Sequence, residues 1–207
     1  DSAAYLMHYS SPSPVPAWGL SSPNAKASGF TTPSTLPNEL SDSDKITYFT
    51  PRFSGFQLGA SYTPDGDKET GTARNATGTP VNNSPYAPTN DEGDADEAYS
   101  IGVNYSNKFN NVSVQASLGY QLITRSNSLD DTDEIAAGLT VGFGGFSVGG
   151  AYKFSDNDGG NDDNERQDWN IGLTYGQGPW KIGVQYAGVD IDDNTPTGNN
   201  AFGVANV

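Results

Sequence analysis

A chain of 207 residues with 34% hydrophobic content and a formal net charge of −15 is short of the apolar material that an ordinary soluble core of this length requires. Its 11 Tyr, 9 Phe and 3 Trp exclude a disordered chain, and 25 Asp+Glu against 10 Lys+Arg argue against a nucleic-acid partner, which rewards clustered cations. The absence of cysteine removes disulfides and thiolate metal sites.

In chain order, Asp1-Ser2-Ala3-Ala4 shows neither a basic region nor a hydrophobic stretch, so no signal peptide is expected there. Ala3 to Ser10, where Tyr5, Met7 and Tyr9 alternate with Leu6 and His8, is an ambiguous ninth strand. Ser11 to Asp44 follows as a long loop carrying Pro12, Pro14, Pro16, Pro23, Pro33 and Pro37. Loops of such length inside a compact fold are usually functional, and proline restricts what they sample. Lys45 to Phe53 reads as a strand that Pro51 ends or bulges, and Phe56 to Thr63 as a second strand with Phe56, Leu58, Ala60 and Tyr62 on one face.

From Tyr99 onward strict alternation dominates. Tyr99, Ile101, Val103 and Tyr105 are interleaved with Ser100, Gly102, Asn104 and Ser106. The pattern recurs in Val112-Val114-Ala116-Leu118-Tyr120-Leu122, Ile135-Ala137-Leu139-Val141-Phe143 and Phe146-Val148-Gly150-Tyr152-Phe154. Trp169-Ile171-Leu173-Tyr175 and Trp180-Ile182-Val184-Tyr186 repeat it. Period two puts apolar groups on one face and small polar ones on the other.

Connections alternate in length. The short ones are Ser54-Gly55, Asn107 to Asn111, Gly144-Gly145 and Gln177 to Pro179; the long ones are roughly 64–97, 125–134, 155–168 and 187 onward. Asp and Glu are expected only in the long connections and before Lys45, with none inside the eight main strands, because a charge facing lipid is costly. Tyr and Trp near strand ends have the spacing of two aromatic girdles around an apolar band. Together these features predict an all-β fold, a transmembrane antiparallel β-barrel with about nine strands and a single domain over 1–207. A soluble sandwich, whose apolar faces a second sheet would have to cover, is the competing architecture.

The stretch Asp44-Lys45-Ile46-Thr47-Tyr48-Phe49-Thr50-Pro51-Arg52-Phe53-Ser54-Gly55-Phe56-Gln57-Leu58-Gly59-Ala60-Ser61-Tyr62-Thr63-Pro64-Asp65 resembles the general Gram-negative outer-membrane porins, most closely the α-proteobacterial branch. In that family an aromatic strand, a proline and a Phe-x-Gly-Phe turn lead into a second strand. The resemblance implies part of a 16-stranded barrel, with Ala3–Ser10 as strand 5 and Trp180–Asp190 as strand 13, so that the chain reads as an internal fragment. It further implies a homotrimer in the bacterial outer membrane amid lipid and lipopolysaccharide, passing small hydrophilic solutes and ions, with the long acidic loops extracellular. Segment 11–44 corresponds to the family's constriction loop folded into the lumen.

On that reading Glu39, Asp42 and Asp44 bring negative charge to the constriction, facing Lys45 and Arg52; solvation of the returning loop is the plainer alternative for the three acids. Parity points Lys153 and Lys181 into the lumen, as solvated residues or as part of a transverse field. The run Asp156-Asn157-Asp158-Gly159-Gly160-Asn161-Asp162-Asp163-Asn164-Glu165 invites calcium at external loops, but Gly160 and Asn161 break the EF-hand spacing, and a solvated acidic loop is the default. No cofactor is otherwise expected. His8 is the only histidine, so neither a histidine metal cluster nor a histidine-dependent triad is supported, and no enzyme is expected. The rival function is adhesion or surface display through the long acidic loops.

Overall fold

The computed structural model describes residues 2–12, 33–37, 43–64, 95–125, 130–156 and 165–192, and the backbone of 201–206. The strands are β1 (Ile46–Phe49), β2 (Phe56–Thr63), β3 (Ala95–Phe109), β4 (Val112–Arg125), β5 (Thr132–Phe143), β6 (Phe146–Asp156), β7 (Glu165–Gln177), β8 (Trp180–Asp192) and β9 (Ala201–Asn206), with one short helix, α1 (Ala3–Met7). All nine strands lie in one antiparallel sheet in sequence order, each hydrogen-bonded to the next. This is the all-β meander that the alternation predicts.

The short turns are tight because the backbone permits it. Ser54 and Gly55 have φ of 49° and 93°, and Gly144 and Gly145 have 58° and 87°. Paired positive φ values are those of the two-residue hairpin turn whose twist matches the flanking strands. β1 stops at Phe49, and Phe53 forms only an isolated bridge to Phe56. Pro51 lies between them and has no N–H to extend the ladder.

The sheet reverses the polarity of a soluble protein. One face exposes Ile101 (56%), Leu139 (52%), Val148 (50%) and Ile182 (64%), whereas the other buries Ser61, Ser100, Asn104, Ser117, Gln121 and Gln185. Aromatic rows border the apolar band. Tyr62 opposes Tyr99, and Tyr152 opposes Trp169, towards the long connections. Phe143 opposes Phe146, which in turn opposes Tyr175, towards the short turns. Rings touch along both rows, at 5.1 Å for Tyr62–Tyr99 and 4.4 Å for Phe146–Tyr175. Such a band suits hydrocarbon and cannot stay open to water.

Two expectations require correction. Ala3–Ser10 is not a wall strand: Ala3, Ala4 and Met7 have the i, i+1, i+4 spacing of one helical face, and all three are buried against the sheet's polar side. The ninth strand is β9. Carboxylates do occur inside strands, at Asp96, Glu97, Asp133, Glu134, Asp156, Glu165, Asp168, Asp190 and Asp192. The reason is length. β3 has 15 residues, and β7 and β8 have 13 each, against the ~9–11 that cross a bilayer, so the acidic ends project past the apolar band. The tyrosine row meets them there, with Tyr62 and Tyr99 hydroxyls donating to Glu97 at 2.7 and 2.8 Å and the Tyr120 hydroxyl to Asp133.

Spin labels at Ile101, Leu139 and Val148 should accordingly be reached by lipid-soluble oxygen, and labels at Ser113 and Gln115 by an aqueous nickel chelate. A label at Ser100, which lies beneath α1, should be shielded from both. Chelate access at Leu139 would mean that the faces are reversed.

Candidate functional site

The polar face is small-sided, and that leaves room for chain to lie on it. Residues 2–12 cross it from β2 to β7, and wall side chains satisfy their backbone. The amides of Ala3, Ala4 and Tyr9 donate to the hydroxyls of Ser61, Ser100 and Ser117 at 3.0, 2.7 and 2.8 Å. Asn104 Nδ2 donates to the Met7 carbonyl at 3.4 Å and Thr140 Oγ1 to the Ser10 carbonyl at 3.1 Å. Glycines set the clearance: a Cβ at Gly119 would lie 2.9 Å from Ala4 Cβ, and one at Gly138 would run into the Tyr9 carbonyl. The β-branched or aromatic residues that strands favour would lift this segment off the wall.

The segment returns to the same face at residues 33–37. Ser34 N–H donates to Asp168 Oδ1 at 2.8 Å, and Asn170 Nδ2 donates to Thr35 Oγ1 at 2.8 Å. Around Asp168 the wall holds a buried charge network. Arg166 Nε approaches Asp168 Oδ2 at 2.7 Å, and Lys153 Nζ lies 3.4 Å from Glu134 Oε1 and 4.0 Å from Asp168 Oδ2. Asp168, Glu134 and Lys153 are 0%, 3% and 6% exposed. Burial first, and then the positive charge of Lys153, hold the His8 imidazole down at about 4, so it is neutral at pH 7.

Among the described residues, those singled out from the sequence are not gathered at one point. Glu39 and Asp42 lie outside the described residues, as do positions 157–164 of the acidic run weighed for calcium. Asp44 is exposed and Lys45 half-buried, just before β1. Arg52, in the β1–β2 connection, donates to Gly55 O at 2.7 Å, Gln57 Oε1 at 3.0 Å and Asn104 Oδ1 at 2.8 Å, which lays it over the polar face. Lys181 is exposed on that face, beside buried Gly183 and Gln185. Lys153 shares its parity but is neither solvated nor a free cation, because Glu134 and Asp168 on the flanking strands face it.

Sequence reasoning missed Glu134, Arg166, Asp168 and Asn170. Their alternation parity is readable, but Glu134, Arg166 and Asp168 fall in stretches that read as long connections, and Asn170, inside the expected strand Trp169–Tyr175, carries no signal of its own for a partner on that face. Among the described residues, no group of three or more His, Cys, Asp or Glu side chains is arranged to hold a metal.

No curated protein matches the chain. The family model of the Gram-negative porins matches residues 1–206. That match spans the whole meander, and the outward apolar band, the aromatic rows and the polar inner face are what such a wall requires. The chain therefore belongs to the Gram-negative porins, outer-membrane β-barrels that form water-filled channels for small hydrophilic solutes.

Proposed function

We propose that the segment from residue 2 to residue 44 narrows this channel and that its acids give the channel a preference for cations. The observation supporting this reading is that residues 2–12 and 33–37 lie across the polar face of the wall, hydrogen-bonded to it, rather than in the wall or beyond its ends. Chain held on the lumen side takes up cross-section. Glu39, Asp42 and Asp44 then act close to the narrowest section, where an ion has shed part of its water. Carboxylates in the long connections act through bulk salt, where the field decays over ~8–10 Å.

The test is the zero-current potential in a salt gradient across planar bilayers. Neutralising Glu39, Asp42 and Asp44 together should lower cation preference more than neutralising Asp158, Asp162 and Asp163, which removes the same charge. Equal effects would place all six acids outside the narrow section.

The acidic ends of β3 and β5–β8 face the cell exterior on this reading, and the short turns, with Arg52 and the nearby strand residues Lys108 and Lys181, face the periplasm. The long connections should be cut by protease added to intact cells, while the turn at Asn110-Asn111 should be protected; cleavage there would invert the orientation. Membership of the family supports a trimer set among lipid and lipopolysaccharide. Passive diffusion requires no cofactor.

A further inference from the structure

The buried charges on β7 and the neighbouring amide do more than line a wall. We propose that Asn170 and Asp168 are positioning residues of the channel, which clamp both limbs of the inner segment to β7 and to each other and so hold the aperture at one size. The proposal rests on the reading above that the segment narrows the lumen.

Asn170 is shared between the limbs. Its Oδ1 accepts from Ser11 N–H at 3.2 Å, while Nδ2 donates to Ser10 Oγ at 3.0 Å and to Thr35 Oγ1 at 2.8 Å. Ser10 Oγ and Thr35 Oγ1 are themselves 3.3 Å apart. One side-chain amide thus uses both N–H donors and its oxygen to join two stretches of chain separated by residues 12–33. Asp168 holds the second limb one inward position away, through Ser34 N–H at 2.8 Å.

That carboxylate is itself immobilised. Arg166 binds it with two parallel bonds, Nε to Oδ2 at 2.7 Å and Nη2 to Oδ1 at 3.0 Å, and Lys153 bridges towards it from Glu134. A forked guanidinium–carboxylate pair fixes direction as well as distance, so Asp168 cannot turn to follow a loosening loop. Serving Ser34 alone would not need so many charges around one fully buried carboxylate. Holding it rigid accounts for them.

The experiment is single-channel recording of the protein in planar bilayers, with electron paramagnetic resonance of a spin label at Leu36→Cys on the second limb. Asn170→Leu keeps the volume and deletes three hydrogen bonds, which should cut the docked-to-released ratio by about a hundredfold. Open-channel current noise should rise several-fold, and the label should gain a mobile component. Asn170→Asp should restore quiet current, because its oxygens accept from Ser11 N–H and from the Ser10 and Thr35 hydroxyls. Thr35→Val, which alters no wall residue, should move noise and label in the same direction as Asn170→Leu and covers the case in which that variant fails to assemble. Quiet current and an immobile label in Asn170→Leu and Thr35→Val would overturn the clamp, as would a failure of Asn170→Asp to rescue. Deleting residues 13–32 separates the two readings. Unchanged conductance on deletion sinks the narrowing role itself; raised conductance with quiet point variants sinks only the clamp.

Discussion

Deleting residues 13–32, while keeping both limbs on the wall, should raise single-channel conductance by about twofold or more, because the narrowest section dominates the series resistance of a water-filled pore. The limbs at residues 10–11 and 34–35 are bonded to a common side chain, Asn170. Ser10 Oγ and Thr35 Oγ1 are 3.3 Å apart, so the shortened connection through residues 12 and 33 should still close. The wall should assemble normally, which heat-modifiable migration in detergent would check. Cation preference should fall together with the rise in conductance, since a wider section screens Glu39, Asp42 and Asp44 more fully. Conductance that stays at the wild-type value would show that the current does not pass beside this segment.

Replacing Lys153 by methionine should destabilise the barrel by about 3–5 kcal/mol, the usual cost of removing one partner from a buried ion pair. Glu134, 3.4 Å away and 3% exposed, would remain buried beside a thioether. Asp168 would retain Arg166 but lose its second cation. Lys181→Met, made on the same face of the sheet at an exposed position, should shift stability by no more than about 0.5 kcal/mol. The measurement is denaturant unfolding in detergent micelles, with Lys153→Arg as the charge-preserving control. Equal effects of the two methionine variants would mean that the network around Asp168 is solvated in the assembled channel.

These two lysines show how far a parity argument reaches. Counting from Tyr152 and Ile182 puts Lys153 and Lys181 on the inner face, and the structure agrees. Whether a cation on that face is free depends on which residues lie opposite in the neighbouring strands. Lys153 pairs in register with Ala136 and Asp168, and Glu134 follows on the same face of β5; Lys181 pairs with Gly176. Register across long connections is not a local property, because neither chain segment encodes the offset at which its partner arrives.

The N-terminal segment makes the same point for the backbone. Tyr5, Met7 and Tyr9 alternate, and in isolation Ala3–Ser10 passes for a weak strand. What decides against it is a row of acceptors that the segment does not itself contain, the hydroxyls of Ser61, Ser100 and Ser117 on three consecutive strands. They take up amides that a wall strand would have given to a neighbouring ladder, and α1 packs Ala3, Ala4 and Met7 onto the ground that the glycines clear. The strand ends escape a local reading for a related reason. Acids mark where lipid stops, and the ladders of β3 and β5–β8 run on past that level into water, where backbone pairing continues without any apolar face to signal it.

By itself, then, the sequence determined the meander, its two faces and the tight turns, because period-two alternation and turn residues are local and each strand repeats the same instruction; the stretch from Asp44 to Asp65 added the resemblance to a porin wall. Only the tertiary structure decided that residues 2–12 lie across the polar face, that Lys153 is paired with Glu134 and Asp168 and that Asn170 joins the two limbs. Those facts depend on contacts between residues up to 160 positions apart, brought together by the register of a whole sheet rather than by anything written near them.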